Sequence, residues 1–361
     1  MDILIATRKG LMVYEDTEQG LSLTGRHFLG DPVSNVVVDA AGVWYAALNL
    51  GHFGPKMHKS VDRGAHWTEI ACPTLPEKPP SSSDSTDWTV KQVWELTAFA
   101  DEPGHLLAGT NPGAVFETTD GGQSWQLNDA FWQLEQRPGW FGGGFDDSGV
   151  HSISIRSDDP SSWSVAVSVG GVWHTDNAGQ SWALHCAGMV ADYMPEDMVD
   201  SEDLQDPHRM VRCLSAPDRC WVQHHCGIFV SDDGGHQWRE CQIDGRSSFG
   251  FSVVVHPTSP DTAWFVPGIK DESRYPKDGQ LCVLRTQDGG QTFERLRSGL
   301  PQEDCYDLIY RHALAISQDG QRLVMGSTTG NVWVSDDQGE HWHCLSNHLP
   351  PVYAVVIHSV S

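Results

Sequence analysis

The sequence predicts an all-β ring, a seven-bladed β-propeller of four-stranded antiparallel blades, closed by the C-terminal strand pairing with the N-terminal blade. Two observations carry this. An octapeptide of the form Ser/Thr-x-Asp-x-Gly-x-x-Trp recurs at 60–67, 118–125, 175–182, 231–238, 286–293 and 335–342, with starts 58, 57, 56, 55 and 49 residues apart. Each copy also stands at the same place among short, alternating β-type runs. A period of this size marks a solenoid, propeller or array, and no helical period competes with the alternation.

The strands are labelled A to D from the inside of each blade outwards. DILIATR, GLMVYED and LSLTGRH read as strands B, C and D of blade 1, which lacks an A strand. VSNVVVD and VWYAALN lead into SVDRGAHW and complete blade 2. In blade 3, VKQVWELTAF, HLLAGT and GAVFE precede TTDGGQSW; in blade 4, VHSISIR, SWSVAVSV and GVWH precede TDNAGQSW. RMVRCLS, CWVQHH and GIFV precede SDDGGHQW in blade 5, and FSVVVHP, TAWFV and LCVLR precede TQDGGQTF in blade 6. LIYRHALAIS, RLVMGS and NVWV precede SDDQGEHW in blade 7. The octapeptide is thus the C–D turn, and strand D begins at its Trp. PVYAVVIH follows the last D strand and supplies the A strand that blade 1 lacks, removing two open edges. Length alone suggests two or three domains, but seven units of about 52 residues make 1–361 a single domain.

Composition agrees. Gly 36 and Pro 20 imply many turns, and Trp 15 needs a large packed interior. A hydrophobic fraction of 39% excludes disorder. The net charge of −25 argues against nucleic acid and against anionic membrane surfaces. No apolar run has the length of a membrane helix, and the N-terminal run lacks the apolar stretch of a signal peptide. Nine cysteines without paired spacing point to free thiols and a reduced, cytoplasmic setting.

The octapeptide resembles the Asp-box, or BNR repeat, of sialidase-like propellers, and the strand pattern extends that resemblance to nearly the whole chain. The resemblance implies a structural turn. Asp62, Asp120, Asn177, Asp233, Asp288 and Asp337 would accept backbone N–H groups, the Gly would take positive φ, and the Trp would pack between sheets. Six repeated acids argue against catalysis or calcium at these positions. The chain is similar to bacterial cytoplasmic BNR-repeat, glycosyl-hydrolase-like proteins of the wider WD40/YVTN-like group. True sialidases have six blades, an Arg-Ile-Pro and a Tyr–Glu pair; none is matched here, so no sialidase catalytic residue is carried over. Xyloglucanase-like propellers use two rings around an open cleft. Photosystem assembly factors and sortilin-type receptors use such repeats to bind proteins and peptides. Fold alone does not choose among these.

Up-and-down connectivity puts the octapeptides and A–B turns on one face, and the B–C turns and D–A crossovers on the other. Every long insertion falls on that second face: residues 76–88, 131–149, 185–208 and 268–279. One-sided insertions on a rigid scaffold build binding surfaces. Asp146, Asp192 and Asp206 are the carboxylate candidates for acid/base work, with His151, His208 and His224 as acid/base or metal-ligand candidates. Gly142–Gly144 would let a backbone approach a ligand closely. His52, Trp140, Tyr193, His225, Arg311, His312 and Tyr353 are the ligand-binding candidates. His151 begins and His312 lies on an A strand, His208 precedes one, and His224 and His225 end a B strand. Arg8, Lys9, Lys56, Lys91, Lys270 and Arg311 could form an anion site inside an acidic molecule. The leading reading is a small-ligand or hydrolase-type site, with a small molecule or carbohydrate as partner. The competing readings are a non-enzymatic propeller that binds a protein, and a metal-dependent hydrolase with a divalent ion on the histidines. No cofactor is certain from sequence.

Overall fold

Short β-branched runs joined by tight turns pair with their sequence neighbours. In the computed structural model they form seven four-stranded antiparallel sheets, and the structure describes residues 1–142, 145–243 and 248–359. The inner strands of blades 1 to 7 are Val352–His358, Val33–Val38, Gln92–Ala98, Val150–Ile155, Pro207–Arg212, Gly250–Val255 and Leu314–Ile316. Each packs against the next, and blade 7 packs back against blade 1, so the ring is complete. Closure is the expected one: Asp2, Ile3, Leu4, Ile5 and Ala6 pair antiparallel with His358, Ile357, Val356, Val355 and Ala354. Among the described residues no helix is long and apolar enough to cross a membrane. The nine cysteines are free thiols.

The octapeptides hold the C–D turns by one hydrogen-bond scheme. In the first, the Ser60 hydroxyl donates to Asp62 (2.8 Å) and accepts from the Gly64 N–H (2.8 Å), while Asp62 accepts from the His66 N–H (2.8 Å). Gly64 has φ +88°, which favours glycine. Asn177 shows what the turn needs. Its carbonyl accepts from Thr175 (2.8 Å) and from the Ser181 N–H (3.0 Å), as the aspartates do. An acceptor at this position suffices, so the charge is dispensable. Accordingly, Asp233→Asn should change stability by less than about 0.5 kcal/mol, and Asp233→Ala should cost about 1 kcal/mol in denaturant unfolding, since two turn bonds are lost. Equal costs would mean that the charge matters after all.

The terminal Trp of the octapeptide staples its blade to the one before it. The indoles of Trp125, Trp182 and Trp238 donate to Ala71, Asn128 and His185 of the preceding blade. A second tryptophan position was not apparent from the repeat. Trp44, Trp163, Trp221 and Trp264 lie at or next to the starts of four B strands and are fully buried between blades.

One irregularity recurs and sets up the site. Near its start the inner strand carries an extra residue in blades 1 to 6: Tyr353, Ser34, Trp94, His151, His208 and Phe251. A bulge of this kind re-aims a side chain. Here it brings Tyr353, Ser34 and Trp94 onto the wall of a cavity on the insertion face, while His151, His208 and Phe251 are buried. Blade 7 differs from expectation. LIYRHALAIS pairs as a strand only over Leu314–Ile316, and His312 makes an isolated parallel bridge to Ala354. The preceding chain is drawn out of the sheet by Asp307, which binds Ser327 (2.6 Å) and Asn331 (2.8 Å) in the B–C turn of the same blade. His208, expected just before its strand, lies within it.

Candidate functional site

A cavity of about 740 Å³ opens at the channel mouth on the insertion face. The bulge residues Ser34, Trp94 and Tyr353 line it from the inner strands. Phe53 comes from a B–C turn, Phe145 from the crossover into blade 4, and Tyr310 and Arg311 from the segment before the blade 7 strand. The walls are therefore aromatic, with Asn49, Gln92 and Asp31 as polar interruptions.

Arg311 is the exceptional group. Its guanidinium lies 4.9 Å from the Trp94 ring centroid and 5.0 Å from that of Phe251. It is only 7% exposed, and among the described residues neither Nε nor Nη2 has a hydrogen-bond partner. Burial pushes it down to about 10, opposed by the charge of Asp206, so it remains a cation near neutral pH. An unpaired buried charge is costly unless something completes it. Arg274 enters the same cavity and lies 5.4 Å from the Phe251 centroid, but Asp271 already holds it.

Below the mouth, the channel is crossed by a polar knot. Glu95 of blade 3 is ion-paired with Arg209 of blade 5 and lies 2.9 Å from His312 Nε2 of blade 7. Both partners also reach the His151 carbonyl of blade 4, at 3.1 and 2.7 Å. Burial would raise the Glu95 carboxyl, but Arg209 and His312 outweigh it and hold the acid below its ordinary value.

A second cavity of about 430 Å³ adjoins the crossover 185–206 and the B–C segment of blade 6. Asp206 lies on its wall. Asp206 Oδ2 is 3.2 Å from His208 Nε2 and 3.4 Å from His225 Nδ1, and its Oδ1 accepts from the Val169 N–H at 3.2 Å. Burial would raise this acid, but His208, His225 and Arg311 hold it well below its usual range. Burial lowers His208; burial also opposes the charge on His225, but the bond to Asp206 and the charges of Asp206, Asp271 and Asp192 together outweigh it and raise His225. The ring nitrogens of His224 face the backbone N–H groups of Asp206 (2.9 Å) and Cys226 (3.1 Å), so His224 positions the Asp206 backbone. Burial takes it down to about 3, and it is neutral.

The expected site residues divide accordingly. Arg311, His312 and Tyr353 line the first cavity, and Asp192, Tyr193, Asp206 and His225 line the second. Asp192 accepts from the Cys226 thiol at 2.8 Å, and the Tyr193 hydroxyl donates to the Leu204 carbonyl at 2.6 Å. The ring of His151 is buried and meets Trp94 edge-on at 5.5 Å; burial and Arg311 keep it neutral. Trp140, expected to position a ligand, is instead core, packed on Phe131 and Trp173 at 5.6 and 5.9 Å. Asp146 is exposed and borders neither cavity. His52 is exposed, with its ring tilted against that of Phe53 at 4.0 Å, outside both linings. Gly143 and Gly144 lie outside the described residues. The expected cation cluster does not assemble. Lys56, Lys91 and Lys270 pair with Glu69, Asp147 and Glu272, and Arg8 and Lys9 are exposed in their turn. Trp94, Phe251 and Arg274 were missed. A signal was present for Phe251, which follows the first residue of its strand as His151 and His208 do, whereas Trp94 stands third in its strand.

No family model matches the chain. A vacuolar protein sorting/targeting protein 10 from Emericella nidulans is 27% identical over 125 residues, 34% of this chain and 8% of that protein. The match thus spans under a tenth of that relative. Among solved structures, an ancestral GH74 enzyme aligns at TM-score 0.62 and 14% identity over 87% of this chain and 38% of that one. YCF48 bound to D1 peptide aligns at 0.55 and 17% over 92% and 88%. A chain of the mitotic checkpoint complex aligns at 0.56 and 13% over 92% and 87%. These likenesses show the β-propeller fold.

Proposed function

We propose that the channel-mouth cavity binds a small organic anion, a carboxylate or phosphate carried on a planar or apolar body. The carrying observation is Arg311, a buried cation with two open donors in an aromatic cavity. Such a guanidinium meets an oxyanion with two parallel hydrogen bonds, and Trp94, Tyr310 and Tyr353 suit the body of the ligand. The propeller belongs, on this reading, with the Asp-box proteins. If there is turnover, hydrolysis is the class favoured, with Asp192 and Asp206 on the adjoining wall as the available acid/base pair. The GH74 likeness is compatible with a carbohydrate body but rests on fold.

The test is a panel of small carboxylates and phosphates read by thermal shift and calorimetry. A binder present at 100 times its Kd should stabilise the native protein by about 2.7 kcal/mol. Arg311→Met should weaken binding by about 100-fold, a loss of two charge-assisted hydrogen bonds. The same variant should be as stable as the native chain or more so, because it removes an unpaired buried charge. A strongly destabilised Arg311→Met with no binder in the panel would make Arg311 structural and defeat the proposal.

A second reading rests on a different observation. Of the large apolar side chains that are exposed, Leu29, Phe53, Phe141, Phe145, Tyr275 and Tyr306 are among those on the insertion face, and only Val61 and Leu214 lie on the other among the described residues. A rim of this kind suits a protein partner, and one structural neighbour is described with a bound peptide. The anion would then be a peptide carboxylate. Peptides, but not free small anions, should stabilise the protein in that case.

A further inference from the structure

The histidine arrangement beside Asp206 has an electronic peculiarity. His208 Nδ1 lies 2.6 Å from the Gly250 carbonyl. A carbonyl only accepts, so Nδ1 carries the proton. In the neutral ring Nε2 then presents a lone pair, and this lone pair sits 3.2 Å from Asp206 Oδ2. Two acceptors face each other in a buried place. His225 Nδ1 approaches the same carboxylate oxygen at 3.4 Å. One ligand atom from each of Asp206, His208 and His225 can be chosen so that all lie within 4.8 Å of one another. Among the described residues this is the one such group of His, Cys, Asp and Glu.

We propose that Asp206, His208 and His225 bind a first-row divalent metal ion, with zinc as the favoured occupant. Two imidazoles and one carboxylate are a borderline-soft donor set that suits zinc, iron(II) or cobalt(II) better than magnesium or calcium. The surroundings are those of a ligand set. The Nδ1–H of His208 donates to a carbonyl, which fixes the tautomer and turns Nε2 toward the ion. The second oxygen of Asp206 is tied to the Val169 N–H, and its backbone to His224. Asp206 has no lysine or arginine ion pair among the described residues; its pairs are His208 and His225.

Three protein ligands leave coordination positions open, and His225 and Asp206 border the second cavity, so those positions face space that a ligand can enter. The ligand expected there is an oxygen donor, a water or an oxyanion. The same wall connects to the arginine site. The His208 ring stacks on Phe251 with centroids 4.4 Å apart, and Phe251 is also the ring contacted by Arg311 and Arg274. Metal binding does not depend on the anion reading: either can fail while the other stands.

The experiment uses the full chain, stripped with a chelator and titrated with Co²⁺ and Zn²⁺. Expected are about one equivalent of bound metal by elemental analysis, and for Co²⁺ the visible bands of a site with nitrogen donors. His225→Ala, at the half-buried edge of the cluster, should lower affinity by about 100-fold or more. Asp206→Asn keeps the shape of its side chain and should do the same. His236→Ala, in the separate histidine group with His174 and His185, should leave binding unchanged. Less than about one tenth of an equivalent for both ions would overturn the site. So would binding that survives His225→Ala and Asp206→Asn, or that is lost in His236→Ala.

Discussion

A chain ending at Pro350 should fail to fold. The missing segment contains Val352–His358, the inner strand of blade 1, joined to the chain's opening strand Asp2–Thr7 over nearly its whole length. Val352, Ala354 and Val355 are buried, and Ile3, Leu4, Ile5 and Ala6 would lose the strand that covers them. At about 1.5–3 kcal/mol for each fully buried aliphatic side chain, the loss is of the order of 6 kcal/mol or more. That is comparable with the whole net stability of an ordinary domain. The deletion also opens the blade 1 edge and separates the inner strands of blades 7 and 2. The expected result is aggregation on expression, or a broad, low unfolding transition by circular dichroism. A truncated protein that melts at the native temperature would show that another element closes the ring.

Glu95→Ala should be the most damaging single substitution in the channel. It leaves the Arg209 guanidinium and His312 without their shared carboxylate in a place 6% open to solvent. Breaking a buried pair by removing one partner costs about 3–5 kcal/mol. Denaturant midpoints measure this, and a double-mutant cycle with Arg209→Ala should recover a large part of the loss, because the orphaned charge is then gone too. Acid should act in the same direction. The folded Glu95 is held below its ordinary value, so its contribution is complete above the usual glutamate pKa. It is lost as pH falls through the depressed folded value. Glu95→Ala should therefore show a shallower loss of stability in acid than the native chain. A cost below about 1 kcal/mol would mean that water replaces the pair at little expense.

The features read directly from the chain are the local and repeated ones. The octapeptides announce a turn, and Asn177 and Phe293 differ from the repeat without hiding it. The A-strand run at the C terminus and the missing A strand at the N terminus point to each other. Connectivity then says which face carries the insertions. Each of these needs only neighbouring residues and strand alternation.

The site was legible as a face and as a set of candidates. Asp206, His225, Arg311 and Tyr353 stand in the cavities, but so do Trp94 and Arg274, which carried no special mark. Trp140 looked the same as Trp94 in sequence. One packs into the interior between blades and the other is turned into the cavity by a bulge. His224 and His225 are adjacent, yet strand geometry gives the first to the backbone of Asp206 and the second to its carboxylate.

Periodicity and pairing rules are enough for the ring and its working face, since those follow from pairing between strands adjacent in sequence, and closure follows from strand count, because the one blade without an inner strand can be completed only by the one run left over. Which polar groups meet is settled only when the ring closes. Glu95 and Arg209 are separated by 114 positions, and Glu95 and His312 by 217, yet they share one carboxylate. The inner strands of separate blades converge on a narrow axis, and a one-residue bulge at the start of six of them chooses the side chain that turns in. A single extra residue in a ladder leaves almost no trace in alternation, because the pattern resumes one position later.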